Sequence, residues 1–308
     1  MWLIVAGALL GILIFLTGLR IMTQGLRVMA GPRLRWVLER FTDNPFTGLI
    51  TGAVLTAVTQ SSSVTAAAAV GLVDAGLLEL EQALAIILGA NIGTTLTAQL
   101  ISFHWERAAF WVICLGVIVL LLGRGKTWGR VGCIIAGAGG LLWGIQLVSL
   151  ALKPLSQLPQ LARLILQCEK SVYSGILAGM ILTAILQSSS ATIGISMALA
   201  REGLVGLSGG MAIVFGSNIG TVLTTLLASV GTVKKARQTA IGDLLFNILG
   251  VCVLLPAFNV FLRVLEASSH DVVHQIANGH TLSNIGSALI VLPFIRYLAL
   301  LVRYLVPD

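Results

Sequence analysis

Two short polar motifs interrupt apolar sequence, and their side chains are suited to binding small ions. The first motif is Gln-Ser-Ser-Ser, which occurs at 60–63 and again at 187–190. Hydroxyl and amide groups donate hydrogen bonds to an oxyanion through their protons, and they bind a small cation through their oxygens. Three consecutive serines point in different directions around a helix, so one packing contact between helices cannot use all of them. We therefore interpret each motif as a helix break, where hydroxyls and freed backbone N–H groups face a ligand.

The second motif, Asn-Ile-Gly-Thr, occurs at 91–94 and at 218–221. Its asparagine and threonine are three residues apart on one helical face, a further threonine extends this face, and Gly93 is expected to loosen the helix between them. Such side chains act either as oxygen ligands for a cation or as hydrogen-bonding groups between helices. The side chains concerned are Asn91, Thr94, Thr97, Asn218, Thr221 and Thr224.

Both motifs belong to an internal duplication. Residues 51–102 align with residues 178–229 at an offset of 127 without a gap, and 24 of the 52 positions are identical. We divide the chain into repeat unit 1 (1–126), repeat unit 2 (127–257) and a C-terminal part (258–308). The C-terminal part is expected to contain a polar connector and a last transmembrane helix.

Each copy has the same expected order of elements: a long apolar helix, a polar connector, two short segments around Gln-Ser-Ser-Ser, and two further helices. In the first copy these are 3–22, 23–44, 46–59 with 61–73, 82–102 and 108–122. In the second copy they are 131–150, 151–171, 174–186 with 188–200, 209–229 and 239–255. A polar stretch at 259–284 and a last helix at 285–303 complete the chain.

The composition indicates an integral membrane protein. Of the 308 residues, 57% are hydrophobic and only 10% are charged, whereas a soluble domain has about 25% charged residues. The net charge of +7 comes from short basic clusters between apolar segments, which is typical of membrane topology rather than nucleic-acid binding. The apolar N-terminus is interpreted as a retained first helix, not a signal peptide. We expect a multi-pass membrane protein.

The length of the segments around Gln-Ser-Ser-Ser favours a particular topology. A membrane span needs about 20 apolar residues, and these segments have only 13 or 14. Two short halves suggest a re-entrant hairpin, and the alternative is a single broken span of about 28 residues. Charge distribution fits both. The hairpin gives each copy three full spans, so the expected fold is an all-α integral membrane protein with two inverted repeats, each with full transmembrane helices and a re-entrant hairpin.

The electrostatics of an anion site raise a further expectation. The ranges 51–73, 82–102, 174–200 and 207–232 contain no charged residue. Arg20 and Arg27 are assigned with other basic residues to the cytoplasmic side. The charge of a bound oxyanion would then have to be offset by helix dipoles and by a co-bound cation, which predicts cation coupling.

The duplicated Gln-Ser-Ser-Ser with a downstream Gly-(Ala/Ser)-Asn-Ile-Gly-Thr resembles the type II sodium/phosphate cotransporter family. The segment 276–286 resembles the late His-Thr-x-Phe-Asn element of that family, although Ser283 stands where phenylalanine is usual. The resemblance covers nearly the whole chain. It implies a secondary transporter, not an enzyme, that moves inorganic phosphate with sodium as the coupling ion by alternating access around the two hairpins.

The resemblance also implies which residues bind each ion. The phosphate site would contain Gln60, Ser61, Ser62, Ser63, Gln187, Ser188, Ser189 and Ser190. The sodium sites would contain Gln60, Ser61, Asn91, Thr94, Thr97, Gln187, Ser188, Asn218, Thr221 and Thr224. The expected partners are phosphate, sodium and membrane lipid, without nucleic acid, and a homodimer is left open. The resemblance implies a location in the plasma membrane, as in the small bacterial members of the family, where this is the inner membrane.

Several alternatives stay open at this point. Another oxyanion, or net export, would fit the same motifs. The Gly-x-Ser-Gly tetrapeptide around Ser208, with His270, His274 and His280 downstream, matches an intramembrane serine protease, but Ser208 is also placed to cap the helix that follows. Asp243, inside an apolar stretch, either couples ion binding or anchors the helix at the interface.

Overall fold

The computed structural model describes residues 2–42, 44–103, 108–123, 127–154 and 169–306, and the regular structure among them is entirely helical. The all-α class is thus confirmed. In the first copy the helices are α1 (Trp2–Arg40), α2 (Pro45–Thr59), α3 (Ser62–Asp74), α4 (Leu80–Ser102) and α5 (Ala109–Leu122). In the second copy they are α6 (Thr127–Leu152), α7 (Val172–Leu186), α8 (Ser189–Arg201), α9 (Leu207–Ala228) and α10 (Lys234–Leu254). Then follow α11 (Phe258–Ser268), α12 (Val272–Val291) and α13 (Ile295–Leu305).

The helix boundaries around the Gln-Ser-Ser-Ser motifs repeat at the offset of 127 residues. The helices α2 and α3 begin at Pro45 and Ser62, and α7 and α8 begin at Val172 and Ser189. Each pair is interrupted at the glutamine and first serine of its motif. The helix break predicted from the polar side chains is therefore present in both copies.

The first helix is longer than the sequence suggested. The helix α1 is continuous to Arg40, so most of the expected connector at 23–44 is helical. This stretch contains Gln, Leu, Arg and Met, which are all good helix formers. Its polar side chains therefore do not end the helix. The corresponding connector at 151–171 lies mostly outside the described residues.

The helices α1 and α6 pack closely along their lengths, and glycines permit this approach. A Cβ atom on Gly18 would lie 2.6 Å from the carbonyl carbon of Gly140 and 2.7 Å from the oxygen of Gly137. Any side chain at this position would push the two helices apart. The packing fixes one face of α1 against α6 and leaves another face for the interior of the protein.

The helices α4 and α9 form the centre of the fold. The helix α4 packs against α2, α3 and α12, and α9 packs against α7, α8 and α12. In addition, α3 contacts α9 and α8 contacts α4, so each Gln-Ser-Ser-Ser helix contacts the central helices of both copies. Side chains that are fully buried along α4, such as Leu84, Ile86 and Leu88, provide the core.

The C-terminal part differs from the expected connector and last helix. The stretch 259–284 is helical in α11 and α12, and α12 begins at Val272 rather than at 285. The polar side chains of His280, Ser283 and Asn284 are buried, so the polar composition marks an inward face of a helix and not a loop. Short 3-10 turns containing Pro256 and Pro293 separate α10 from α11 and α12 from α13.

Six helical segments in the described part of the chain are long and apolar enough to cross a membrane. They are Ala6–Met29, Leu80–Ser102, Thr127–Leu152, Leu207–Ala228, Lys234–Ser268 and Val272–Leu305. Large apolar side chains such as Leu13, Trp111 and Ile185 are exposed on the outside of the protein, as lipid contact requires. The chain is a multi-pass membrane protein, as expected.

Candidate substrate cavity

The backbone at each Gln-Ser-Ser-Ser motif makes the same turn. Gln60 ends α2 and Gln187 ends α7, and both have a left-handed conformation with φ of 53°. The next residue, Ser61 or Ser188, caps the following helix. The Oγ of Ser61 accepts from the N–H of Val64 at 3.4 Å, and the Oγ of Ser188 makes the equivalent bond with Ala191 at 3.3 Å.

A buried pair of threonines holds the two arms of each hairpin together. Thr56 Oγ1 donates to Thr65 Oγ1 at 2.8 Å, and Thr183 Oγ1 donates to Thr192 Oγ1 at the same distance. These four hydroxyls are almost fully buried. Each threonine pair therefore holds the two arms of its hairpin in place, and the motif serines do not take part in this bond.

The two turns meet at one cavity of about 440 Å³. This volume can hold a tetrahedral oxyanion together with several waters, since a water takes about 30 Å³. All eight residues of the two motifs line it: Gln60, Ser61, Ser62, Ser63, Gln187, Ser188, Ser189 and Ser190. The helices α3 and α8 both begin here, so two positive helix ends and their free N–H groups are directed to the same space.

The helix α1 contributes a polar face to the cavity, which the two motifs did not predict. Arg20, Thr23, Gln24 and Arg27 line the cavity, and Nη2 of Arg27 donates to the Oγ of Ser61 at 3.0 Å. The cytoplasmic side stays the prediction for Arg20 and Arg27, and the sequence motifs did not relate them to the hairpins. The spacing of the four polar residues, i, i+3, i+4 and i+7, indicates one helical face and could have revealed them.

The Asn-Ile-Gly-Thr motif of α4 faces the first hairpin. Thr94 lines the large cavity, and its Oγ1 donates to the carbonyl of Ala90 at 3.0 Å. Thr97 donates to Oε1 of Gln60. Asn91 lies deeper, beside a second cavity. The three side chains are thus grouped around the hairpin, as their common helical face predicted.

The matching side chains of α9 are distributed differently. Thr224 Oγ1 is within hydrogen-bonding distance of Ser63 Oγ in the first hairpin, at 3.1 Å, rather than of Gln187 in the second. Thr221 lines the second cavity, whereas Asn218 donates to Oδ1 of Asn284 at 3.4 Å. Asn218 therefore lines neither of the two cavities.

The second cavity has room for one water or one small ion, with a volume of about 10 Å³. Polar residues from both copies line it: Ser62, Ser63, Asn91, Thr221, Thr225, Asp243 and Asn247. Asp243 is 4% exposed; its Oδ2 accepts from Thr225 at 2.7 Å and its Oδ1 from Asn247 at 2.8 Å. Asp243 thus lies inside the protein beside the serines of the first hairpin, not at the membrane surface.

The hydrogen bonds around Ser208 do not form a catalytic triad. Ser208 lies in the first turn of α9, and the described residues give its hydroxyl no histidine partner. The expected cap at Ser208 is also wrong. Gly206 is the N-cap, and Oε2 of Glu169 accepts from the N–H groups of Gly206 and Gly209 at 2.9 and 3.1 Å.

Comparison with known proteins identifies the family. The model of the Na+/Pi-cotransporter family matches residues 14–150 and again residues 140–296. The chain belongs to the Na+/Pi-cotransporter family. This is a transporter family and not an enzyme family, and the two consecutive matches correspond to the two copies seen in the sequence.

The relatives of this family member have different lengths. YqeW of Bacillus subtilis strain 168, an uncharacterized protein, is 34% identical over 96% of both chains. The phosphate export protein YjbB of Escherichia coli K12 is 27% identical over 94% of this chain and 54% of its own, so this chain spans about half of YjbB. Sodium-dependent phosphate transport protein 2A of Mus musculus is 30% identical over 44% of this chain and 23% of its own. No solved structure matches significantly.

Proposed function

We propose that this protein transports inorganic phosphate across the plasma membrane with sodium, by alternating access around the cavity between the two hairpins. The observation that carries the proposal is the meeting of both Gln-Ser-Ser-Ser turns in one cavity. The turns direct hydroxyl donors and two helix N-termini to a single volume, which matches an oxyanion with several acceptor oxygens. YjbB is named for the export of inorganic phosphate and protein 2A for sodium-dependent phosphate transport, and both names support phosphate as the substrate.

The second cavity supports sodium as the coupling ion. A small hard cation prefers oxygen ligands, and this cavity supplies hydroxyl, amide and carboxylate oxygens. Among the described residues the carboxylate of Asp243 has no cationic partner. A buried carboxylate without one requires a proton or a bound cation. We add Asp243, Asn247 and Thr225 to the sodium ligands proposed from the sequence.

The lengths of the hairpin arms support the re-entrant topology. The arms α2 and α3 have 15 and 13 residues, which correspond to about 22 and 20 Å at 1.5 Å per residue. The hydrocarbon core is about 30 Å thick. Neither arm can cross it as an upright helix, so we propose that each hairpin enters and leaves on one side. From the three full spans expected in each copy, we further propose that the two copies are inverted.

Transport by the purified protein in liposomes tests the proposal. Uptake of radiolabelled phosphate is measured with an inward sodium gradient, and again with potassium in place of sodium. We expect accumulation only with sodium, and sulfate should not compete. Uptake that is independent of sodium would reject the coupling, while no movement of phosphate in either direction would reject the substrate.

Variants of single residues then test which ion each cavity binds. Ser189→Ala removes a hydroxyl that lines the large cavity and not the second one, and it should reduce phosphate transport at least about 10-fold, the effect of roughly 1.4 kcal/mol. Asp243→Asn keeps the shape of the side chain and removes its charge, so it should raise the sodium concentration for half-maximal uptake. Unchanged sodium dependence in Asp243→Asn would exclude the second cavity as a coupling site.

The direction of net transport depends on the gradients. YjbB is named for phosphate export, whereas the mammalian relative is named for sodium-dependent transport. Efflux from phosphate-loaded liposomes with outward and inward sodium gradients compares the two directions in one preparation. A coupled carrier reverses with the sodium gradient, and an exporter that does not use sodium fails to do so.

A further inference from the structure

The polar face of α1 has a fixed position relative to the first hairpin. Gly18 and its neighbours pack against α6, and this contact sets the rotation of α1 about its axis. On another face, Arg20, Thr23, Gln24 and Arg27 point into the large cavity. Arg27 therefore faces the cavity because of the helix packing, although its sequence context resembles that of a basic residue at the membrane surface.

The contact between Arg27 and Ser61 determines how the serine hydroxyl can be used. The Oγ of Ser61 accepts from Nη2 of Arg27 at 3.0 Å and from the N–H of Val64 at 3.4 Å. A hydroxyl oxygen has two lone pairs and one proton. With both lone pairs occupied, the proton of Ser61 has to be donated to another group, and the cavity lies beside it.

The charge of Arg27 is not neutralised by an acidic neighbour in the cavity. The 16 residues that line this cavity include two arginines and no aspartate or glutamate. Within the described part of the chain, Arg27 forms a hydrogen bond with a neutral serine and no ion pair with a carboxylate. A guanidinium also keeps further N–H donors for a second ligand. The cavity thus has a net positive charge, to which the ends of α3 and α8 add.

We propose that Arg27 is a substrate-binding residue that contacts the anion together with Ser61, so that α1 forms part of the binding site along with the hairpins. This inference rests on the proposed phosphate transport and deepens it. The planar guanidinium can donate to two oxygens of a tetrahedral oxyanion while the hydroxyl of Ser61 donates to a third. The bound anion is then compensated by a protein charge as well as by sodium.

The experiment measures the affinity for each ion separately in liposomes with radiolabelled phosphate. Arg27→Gln should raise the phosphate concentration for half-maximal uptake by about 10- to 100-fold, the effect of losing a charge-assisted hydrogen bond. The sodium concentration for half-maximal uptake, measured at saturating phosphate, should stay unchanged. Arg27→Lys keeps the charge but lacks the planar pair of donors. Its phosphate concentration for half-maximal uptake should lie between those of the parent protein and of Arg27→Gln. Arg237→Gln, the same change on an exposed residue outside the cavity, should behave as the parent protein.

The possible outcomes separate this inference from the proposed function. If the parent protein does not transport phosphate, the proposed function fails. If the parent transports phosphate and Arg27→Gln changes only the maximal rate, Arg27 does not bind the anion and the inference is wrong. If Arg27→Gln does not fold, as judged by gel filtration, two other variants test whether Arg27 binds the anion: Arg27→Lys, and Arg27→Ala with added guanidinium. Restored phosphate uptake on addition of guanidinium supports the inference, and an unchanged phosphate affinity in Arg27→Lys with no rescue of Arg27→Ala overturns it.

Discussion

At the scale of single residues, the two motif glutamines have the same backbone and different side-chain environments. Gln60 and Gln187 are the only non-glycine residues with positive φ in the described part of the chain. This conformation costs an ordinary residue about 1–2 kcal/mol. Both side chains donate from Nε2 to the carbonyl three residues earlier, of Ala57 and Ala184. Gln60 is 8% exposed and its Oε1 also accepts from Thr97, whereas Gln187 is exposed. Only Gln60 is bonded to a central helix.

This difference predicts unequal effects of the same substitution. Gln60→Ala and Gln187→Ala retain the same backbone penalty, but only Gln60→Ala leaves the buried hydroxyl of Thr97 without its partner. We expect Gln60→Ala to lower the free energy of unfolding by about 1–3 kcal/mol more than Gln187→Ala. Thermal denaturation in detergent compares the two variants directly. Equal midpoints would mean that the bond to Thr97 does not stabilise the hairpin.

At the scale of elements, glycines on the central helices allow the hairpins to pack closely. The helix α4 is continuous from Leu80 to Ser102, so Gly93 does not break or loosen it, contrary to the expectation from the sequence. A Cβ atom on Gly93 would lie 2.7 Å from Cβ of Thr56 and 2.9 Å from the amide nitrogen of Ala57 in α2. Gly93 therefore serves as a contact surface for the first hairpin.

A pair of glycine substitutions tests this role. Gly93→Ala should displace α2 and destabilise the protein, because backbone atoms cannot move away as a flexible side chain can. Gly71→Ala in α3 is the matched control, since no atom lies within 4 Å of a Cβ there. That control should be neutral or stabilising by up to about 1 kcal/mol, the difference in helix propensity. Thermal denaturation midpoints and phosphate uptake are measured for both variants. Equal midpoints and equal uptake in Gly93→Ala and Gly71→Ala would contradict the packing role of Gly93.

At the scale of the whole molecule, the two copies have the same helices and different contacts. Thr97 and Thr224 are equivalent at the offset of 127 residues. Thr97 bonds to Gln60 and Thr224 lies 3.1 Å from the Oγ of Ser63, so both contact the first hairpin. Under the proposed inversion of the copies, exchange of these contacts between the hairpins would open the cavity to the other side of the membrane. Thr97 would then contact Ser190.

Cysteine pairs can detect this exchange in a protein whose four natural cysteines have been replaced. Ser63→Cys with Thr224→Cys should form a disulfide readily, because the two Oγ atoms are 3.1 Å apart. Thr97→Cys with Ser190→Cys should crosslink faster when sodium and phosphate are present. A rate that is the same without these ions would argue against the exchange.

The sequence by itself determined the fold class and the positions of the helix breaks. Composition and segment length gave a helical membrane protein, and the two polar motifs located the breaks between α2 and α3 and between α7 and α8. These features depend on local properties: an apolar helix must satisfy its own backbone, and a glutamine followed by serines ends one helix and caps the next. The helical face of Asn91, Thr94 and Thr97 was also predicted correctly.

Tertiary structure decided which distant residues complete the two cavities. The rotation of α1 against α6 brings Arg27 to Ser61, 34 residues away, and the packing of α10 brings Asp243 beside Asn91 and the serines of the first hairpin. Their sequence neighbours are compatible with the membrane surface, and although the spacing of residues 20, 23, 24 and 27 indicates one polar face of α1, it does not show which element that face meets. The depth and orientation of a charged side chain depend on the neighbouring helices, and only the packed structure shows them.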